Sequence, residues 1–106
     1  MSENIFEVQP ISVDAEKSVA RVMLQGIGPA VENFGSDTTY RVLEGRGVFR
    51  MLKRDTLELV VIPVEAGSEV HVPRGTIYAD MGNMVMEATC VPPFDPDKVR
   101  IVQDIV

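Results

Sequence analysis

One cysteine and one histidine stand among the 106 residues, and each scarcity removes a class of function. Cys90 alone cannot close an internal disulfide, and its place in an apolar run reads as a buried thiol rather than a reactive one. His71 alternates with Val70 and Val72 and is expected to point outward, as a surface or interface residue, so no histidine cluster is available for a transition metal. Cationic side chains are also short in supply: ten Lys and Arg against sixteen Asp and Glu leave a formal charge of -6. Nucleic acid and anionic membrane surfaces need clustered cations, and these ten are scattered, so neither is an expected partner. No apolar run approaches the roughly 20 residues of a membrane span. Met1 to Pro10 carries acids and no apolar stretch of signal-peptide length, which makes a soluble cytoplasmic protein the expectation. Repeats, linkers and low-complexity stretches are missing too, and helix periodicity is nearly so.

What remains is a chain of single-domain length, residues 1–106, with 45% hydrophobic and 25% charged residues, a globular composition. Its apolar positions recur with period two between Gly and Pro punctuation, which predicts strands. Val19 to Gln25 places Ala20, Val22 and Leu24 on one face. Thr38 to Glu44 is followed by a Glu44-Gly45-Arg46-Gly47 turn and by Val48 to Leu52, where Phe49 and Met51 share a face. A polar Lys53-Arg54-Asp55 loop leads to Leu57 to Ile62, and Glu65 to Ser68 turns the chain into Glu69 to Val72. A Met81-Gly82-Asn83 turn precedes Met84 to Val91, whose Met84, Met86, Ala88 and Cys90 form an apolar face. Pro92-Pro93 ends that strand. With Ile5 to Val13 and Val99 to Val102, about eight short strands result, the pattern of a sandwich or barrel. Asp95 to Lys98 carries a weak signal for a short helical turn.

Two glycine-framed segments resemble the motifs of the cupin family. The first family pattern is G-x5-H-x-H-x3-E-x6-G. Counting from Gly26 in this sequence, its ligand positions fall on Glu32, Phe34 and Thr38, and Gly45 closes the frame (motif 26–45). The second pattern, G-x5-P-x-G-x2-H-x3-N, finds Gly67, Pro73 and Gly75 in register, with Tyr78 at the histidine and Gly82 at the asparagine (motif 67–82). Tyr40 to Gly47 and Val91 to Pro96 are also similar to family sequences. The resemblance implies an all-β, double-stranded β-helix barrel of the cupin, jelly-roll-like type. It also implies a homodimer, in which the apolar terminal strands of two copies cover one another.

The frame persists while the family's metal ligands do not. Glu32, Phe34, Thr38 and Tyr78 offer one carboxylate, a weak hydroxyl, a phenol and a ring without a donor atom. Sliding the first motif by one residue brings in Val31, Asn33, Gly35, Asp37 or Thr39 and still no histidine. Neither a metal nor another cofactor is expected. A minority reading keeps an unusual metal held by Glu32, Tyr78 and outside ligands.

If Thr38 faces inward, so do Tyr40 and Val42. Phe34, Tyr78, Phe49, Met51, Met84 and Met86 would then complete an apolar, aromatic cavity with a few polar points. Two readings stay open. In one, the barrel binds a small polar or aromatic molecule, with Glu32, Tyr40 and Tyr78 as groups for metal-independent acid-base chemistry of the isomerase, epimerase, lyase or cyclase kind. In the other, large side chains fill the barrel and the protein is a non-catalytic dimerisation or accessory domain. Arg41, Arg46, Arg50 and Arg74 are read as an outer face that salt-bridges acids or meets a partner.

Overall fold

The computed structural model describes residues 4–53 and 56–102. Eight strands lie within them: β1 (Ile5–Val13), β2 (Ser18–Ile27), β3 (Ala30–Asn33), β4 (Asp37–Lys53), β5 (Glu58–Glu65), β6 (Glu69–Val72), β7 (Ile77–Val91) and β8 (Val99–Val102). The only helical element among the described residues is a 3₁₀ turn, Pro96–Lys98, capped by the Asp95 carboxylate accepting from the Asp97 N–H.

Two long strands organise the barrel. β4 and β7 pair antiparallel from Asp37 opposite Val91 to Leu52 opposite Ile77. On the Val91 half of this ribbon, β2 joins β7 and β1 joins β2, while β6 joins β4. On the Ile77 half, β3 joins β7 and β8 joins β3, while β5 joins β4. Each half is therefore a five-stranded sheet, and the ribbon bends so that the two inner faces share one core.

The bend replaces the two turns expected at residues 44–47 and 81–83. Both segments are strand, and their glycines are what let the strands fold rather than reverse. Gly45 and Gly82 have φ of +83° and +135°, in the left-handed half of backbone space that disfavours a side chain. A Cβ at Gly45 would sit 1.9 Å from the Asn83 carbonyl oxygen, and one at Gly82 would sit 2.5 Å from that of Arg46. The two backbones cross there too closely for any other residue.

A one-residue register shift between Val42 and Glu44 accompanies the bend. Before it, the even positions Thr38, Tyr40 and Val42 of β4 are buried; after it, the odd position Phe49 is. A bulge inserts one residue and so exchanges the faces of a strand. β7 has no such shift, and its even positions stay inside from Tyr78 to Cys90. The alternation expected on β2 and on β7 from Met84 to Cys90 is present: Val22, Leu24, Met84, Met86, Ala88 and Cys90 are all buried. β6 and β8 match their expected bounds, and β7 ends at Val91, before Pro92. Arg54 and Asp55 of the expected polar loop lie outside the described residues.

Candidate functional site

The barrel interior is divided. Toward the bend, Phe49, Val42, Met86, Met84 and Leu24 close-pack with Val64 and Val70, each nearly or wholly inaccessible. Toward the other end, between β1, β2, β3 and the outer halves of β4 and β7, lies a cavity of about 350 Å³. Its walls are apolar, with Val8, Val22, Val31 and Ala88 among them, and Phe6 and Phe94 are at its exposed rim. That volume matches a small-molecule pocket, and the polar groups in it are few.

Those polar groups converge from β4 and β7. Tyr40 and Tyr78 point into the cavity, and their hydroxyl oxygens are 2.6 Å apart. The Tyr40 ring packs on Phe49 at 5.1 Å between centroids, so the filled half of the barrel holds the phenol in place. Two hydroxyls in contact use one hydrogen between them, and the second remains for a ligand oxygen. Beside them, the Thr38 Oγ1 and Cys90 Sγ are 3.5 Å apart across the ribbon.

Asp80 is the carboxylate of this cavity. It sits on β7 two residues after Tyr78, opposite Phe49, and is 4% exposed. Burial pushes its pKa up to about 6, partly offset by a hydrogen bond from its own backbone N–H. Gly28 closes over it: the Gly28 N–H donates to the Asp80 carbonyl at 2.8 Å, and a Cβ at Gly28 would lie 2.2 Å from the Asp80 Oδ1. The phenols respond to the same dry surroundings. Desolvation raises Tyr40 well above its ordinary value, with the nearby Tyr78 and Asp80 adding to the effect. It brings Tyr78 to about 12. At neutral pH the cluster thus consists of two protonated phenols and a carboxylate poised near its own pKa, the state in which a carboxyl group exchanges protons most readily.

Of the residues expected here from the sequence, Tyr40, Tyr78 and Thr38 line the cavity together. Phe49, Met84 and Met86 are buried beneath it in the packed half, and Met51 is a half-buried neighbour of that core. Phe34 and Glu32 are placed otherwise. On β3 the cavity-lining residues are Val31 and Asn33, so residues 32 and 34 take the opposite face. There the Glu32 carboxylate, fully buried, accepts from the Arg100 Nη2, and the Arg100 guanidinium lies 5.4 Å from the centre of the Phe34 ring, which is 47% exposed.

Asp80 is not among the residues expected from the sequence, because Met81-Gly82-Asn83 carries the residue types of a turn and the apolar alternation stands out only from Met84 onward. Extending period two backward from Met84 through Gly82 reaches Asp80 and Tyr78 on the same face. Cys90 is buried as expected, and it also lines the cavity. His71 is exposed, with its Nδ1 3.2 Å from the Thr39 hydroxyl. Arg74 is exposed and pairs with Asp37 at 3.3 Å.

The inward positions Val31, Asn33, Thr38, Tyr78 and Asp80 supply one carboxylate and no imidazole. Among the described residues no three His, Cys, Asp or Glu side chains stand together. This donor set does not fit a resident divalent metal, and Glu32 and Tyr78 lie on opposite sides of the sheet, so they cannot share one.

No family model matches the sequence, and no curated protein does. Solved structures do. A variant of Streptomyces PAC13 with uridine is 27% identical, with a TM-score of 0.78 over 99% of this chain and 88% of that one. Pac13, described as a unique nucleoside dehydratase, is 26% identical with a TM-score of 0.77, over 94% of this chain and 88% of its own. An RmlC-like cupin from Desulfovibrio desulfuricans is 21% identical with a TM-score of 0.69, covering 84% of each chain. The fold is that of a small cupin, and the double-stranded β-helix expected from the glycine frame is the one observed. Among the described residues no helix is long and apolar enough to cross a membrane.

Proposed function

We propose that this protein binds a small molecule in the barrel cavity and transforms it by acid-base chemistry, with Asp80 as the proton-transfer group and the Tyr40–Tyr78 pair as the oxygen-binding group. The observation that carries the reading is the placement of one buried carboxylate, of pKa about 6, beside two protonated phenols in an otherwise apolar cavity. Glu32, ion-paired on the far side of β3, supports the fold instead.

The strength of the base limits the reaction. A carboxylate with a pKa near 6 removes a proton only from carbon already acidified by a neighbouring carbonyl. The phenol pair donates its spare hydrogen to that carbonyl oxygen and stabilises the negative charge that develops there. With a hydroxyl one carbon further along, the electron pair expels it. The C–O bond breaks, Asp80 returns its proton to the departing oxygen, and water leaves with the carboxylate restored. Without such a hydroxyl, the same groups return the proton elsewhere and the outcome is isomerisation. The likeness to Pac13, a nucleoside dehydratase, supports the elimination and makes a nucleoside the first ligand to test. A homodimer formed through the exposed edge strand β1 belongs to the same proposal: Phe6, Val8, Ile11 and Val13 of that strand are all exposed.

The test is incubation in deuterated water with nucleosides that carry an aldehyde or ketone on the sugar, followed by mass spectrometry. Loss of one water or uptake of deuterium, abolished in Asp80→Asn, is the expected result. Absence of both, with no nucleoside bound, would return the protein to the class of accessory dimerisation domains.

A further inference from the structure

The described lining of the cavity contains one carboxyl group and no Lys, Arg or His side chain. Every basic side chain among the described residues lies outside its lining. The basic residues that flank lining positions, Lys17, Arg21, Arg41, Lys98 and Arg100, are all exposed, and Arg100 is committed to Glu32 and the Phe34 ring on the outer face of β3. Arg100 cannot turn inward without abandoning the buried Glu32 carboxylate. The ligand therefore meets one carboxyl group, two phenols, a thiol, the neutral side chains of Ser18, Asn33 and Thr38, and apolar walls.

We infer that Asp80 is also the specificity-determining residue of the cavity, restricting it to uncharged molecules and excluding phosphorylated or carboxylated forms of the same ligand. This rests on the small-molecule reading above and adds the charge class to it. An anion entering here gives up its hydration and finds no counter-ion. A cavity of 350 Å³ is about 9 Å across if round, so a charge placed short of its far wall lies within about 8 Å of Asp80. At the effective dielectric constant of a buried site, repulsion over that distance alone weakens binding about 30-fold. Gly28 fixes the direction of the carboxylate, because its missing Cβ is the space the Oδ1 occupies.

The titratable groups that share the cavity with Asp80 are Tyr40 on β4 and Tyr78 and Cys90 on β7. The described lining residues from β1, β2, β3 and 94–99 contribute none. Below neutral pH only Asp80 changes charge, since burial holds its proton to about pH 6. Exclusion of an anion is consequently strongest above that pH and relaxes below it.

The experiment is calorimetric titration with uridine and with its 5′-carboxylate, whose charge is constant between pH 5 and 8. Uridine is expected to bind at both pH values, and the carboxylate about 30-fold or more weakly at pH 8. That gap is expected to shrink several-fold at pH 5, and also in Asp80→Asn at pH 8. The wild-type comparison at two pH values needs no variant to fold. Equal affinity for the two at pH 8, or a gap indifferent to pH and to Asp80→Asn, overturns the charge selection and leaves nucleoside binding standing. Failure of uridine and its carboxylate to bind at either pH overturns the reading beneath it, and this inference with it.

Discussion

Asp80 illustrates a cost accepted at one position. Its pKa in the folded protein, about 6, lies above its ordinary value of 3.8, so the folded state holds a proton that the unfolded chain releases. Stability from this group is full below pH 3.8, falls as pH rises toward 6, and is flat above it. The span corresponds to about 3 kcal/mol, as an order of magnitude. Asp80→Asn keeps the shape and removes the charge. It should therefore raise the melting temperature at pH 8 and change it little at pH 4, while abolishing turnover. A thermal melt at the two pH values checks the first part, and equal shifts would mean that the carboxyl is hydrated. At the neighbouring site, Tyr78→Phe strips the Tyr40 hydroxyl of its partner and halves the oxygen-binding pair. A loss of at least tenfold in turnover is expected, with about 1 kcal/mol of stability. On the outer face, Arg100→Ala leaves the buried Glu32 carboxylate without its guanidinium. Chemical denaturation should show a loss of about 2–4 kcal/mol with the cavity chemistry intact.

At the scale of elements, the barrel depends on how β4 and β7 bend together. Gly45 and Gly82 take backbone angles that side chains disfavour, and their Cα atoms face the partner backbone. Gly82→Ala adds both strain and a clash, and should cost about 2–4 kcal/mol by denaturant melting. Most strands were legible in the sequence because period-two alternation is a local signal: β2 from Ala20 to Leu24, β6, β8, and the Met84 to Cys90 face all declared themselves. The bend was not legible. Gly-Arg-Gly and Met-Gly-Asn carry the residue types of a turn, and only pairing between β4 and β7, nearly forty residues apart, shows that the chain continues straight through. β3 is not legible because Ala30–Asn33 is only four residues and its polar side chains, Glu32 and Asn33, are both buried on opposite faces, so no apolar-polar alternation marks it. The family frame puts Glu32 and Phe34 at ligand positions and so in the cavity, while Asp80 lies just ahead of the expected 81–83 turn and outside the Met84 to Val91 alternation. Tyr78 is legible from its place in the family frame, and Tyr40 from strand parity with Thr38.

On the scale of the whole molecule, one end of the barrel is packed and the other is hollow, so each of the two readings of the interior describes half of it. Phe49 marks the boundary, fully buried and packed at a tilt against Tyr40. Phe49→Ala should cost about 3–5 kcal/mol and also loosen Tyr40, so affinity for a ligand falls with stability. The hollow end is bordered by β1, a sheet edge whose apolar side chains are exposed on both faces. Uncovered edges of this kind promote pairing with another chain. Native mass spectrometry should show a dimer that Val8→Lys, at the centre of β1, dissociates; a monomer at all concentrations would rule the pairing out.

The central claim is that a proton-exchanging carboxylate lies in the ligand cavity, and carbon-detected NMR titration of the Asp80 carboxyl tests it most directly, with and without uridine. The account predicts a midpoint near pH 6 that moves when the ligand is bound. A midpoint in the ordinary carboxylate range, unchanged by the ligand, would contradict it.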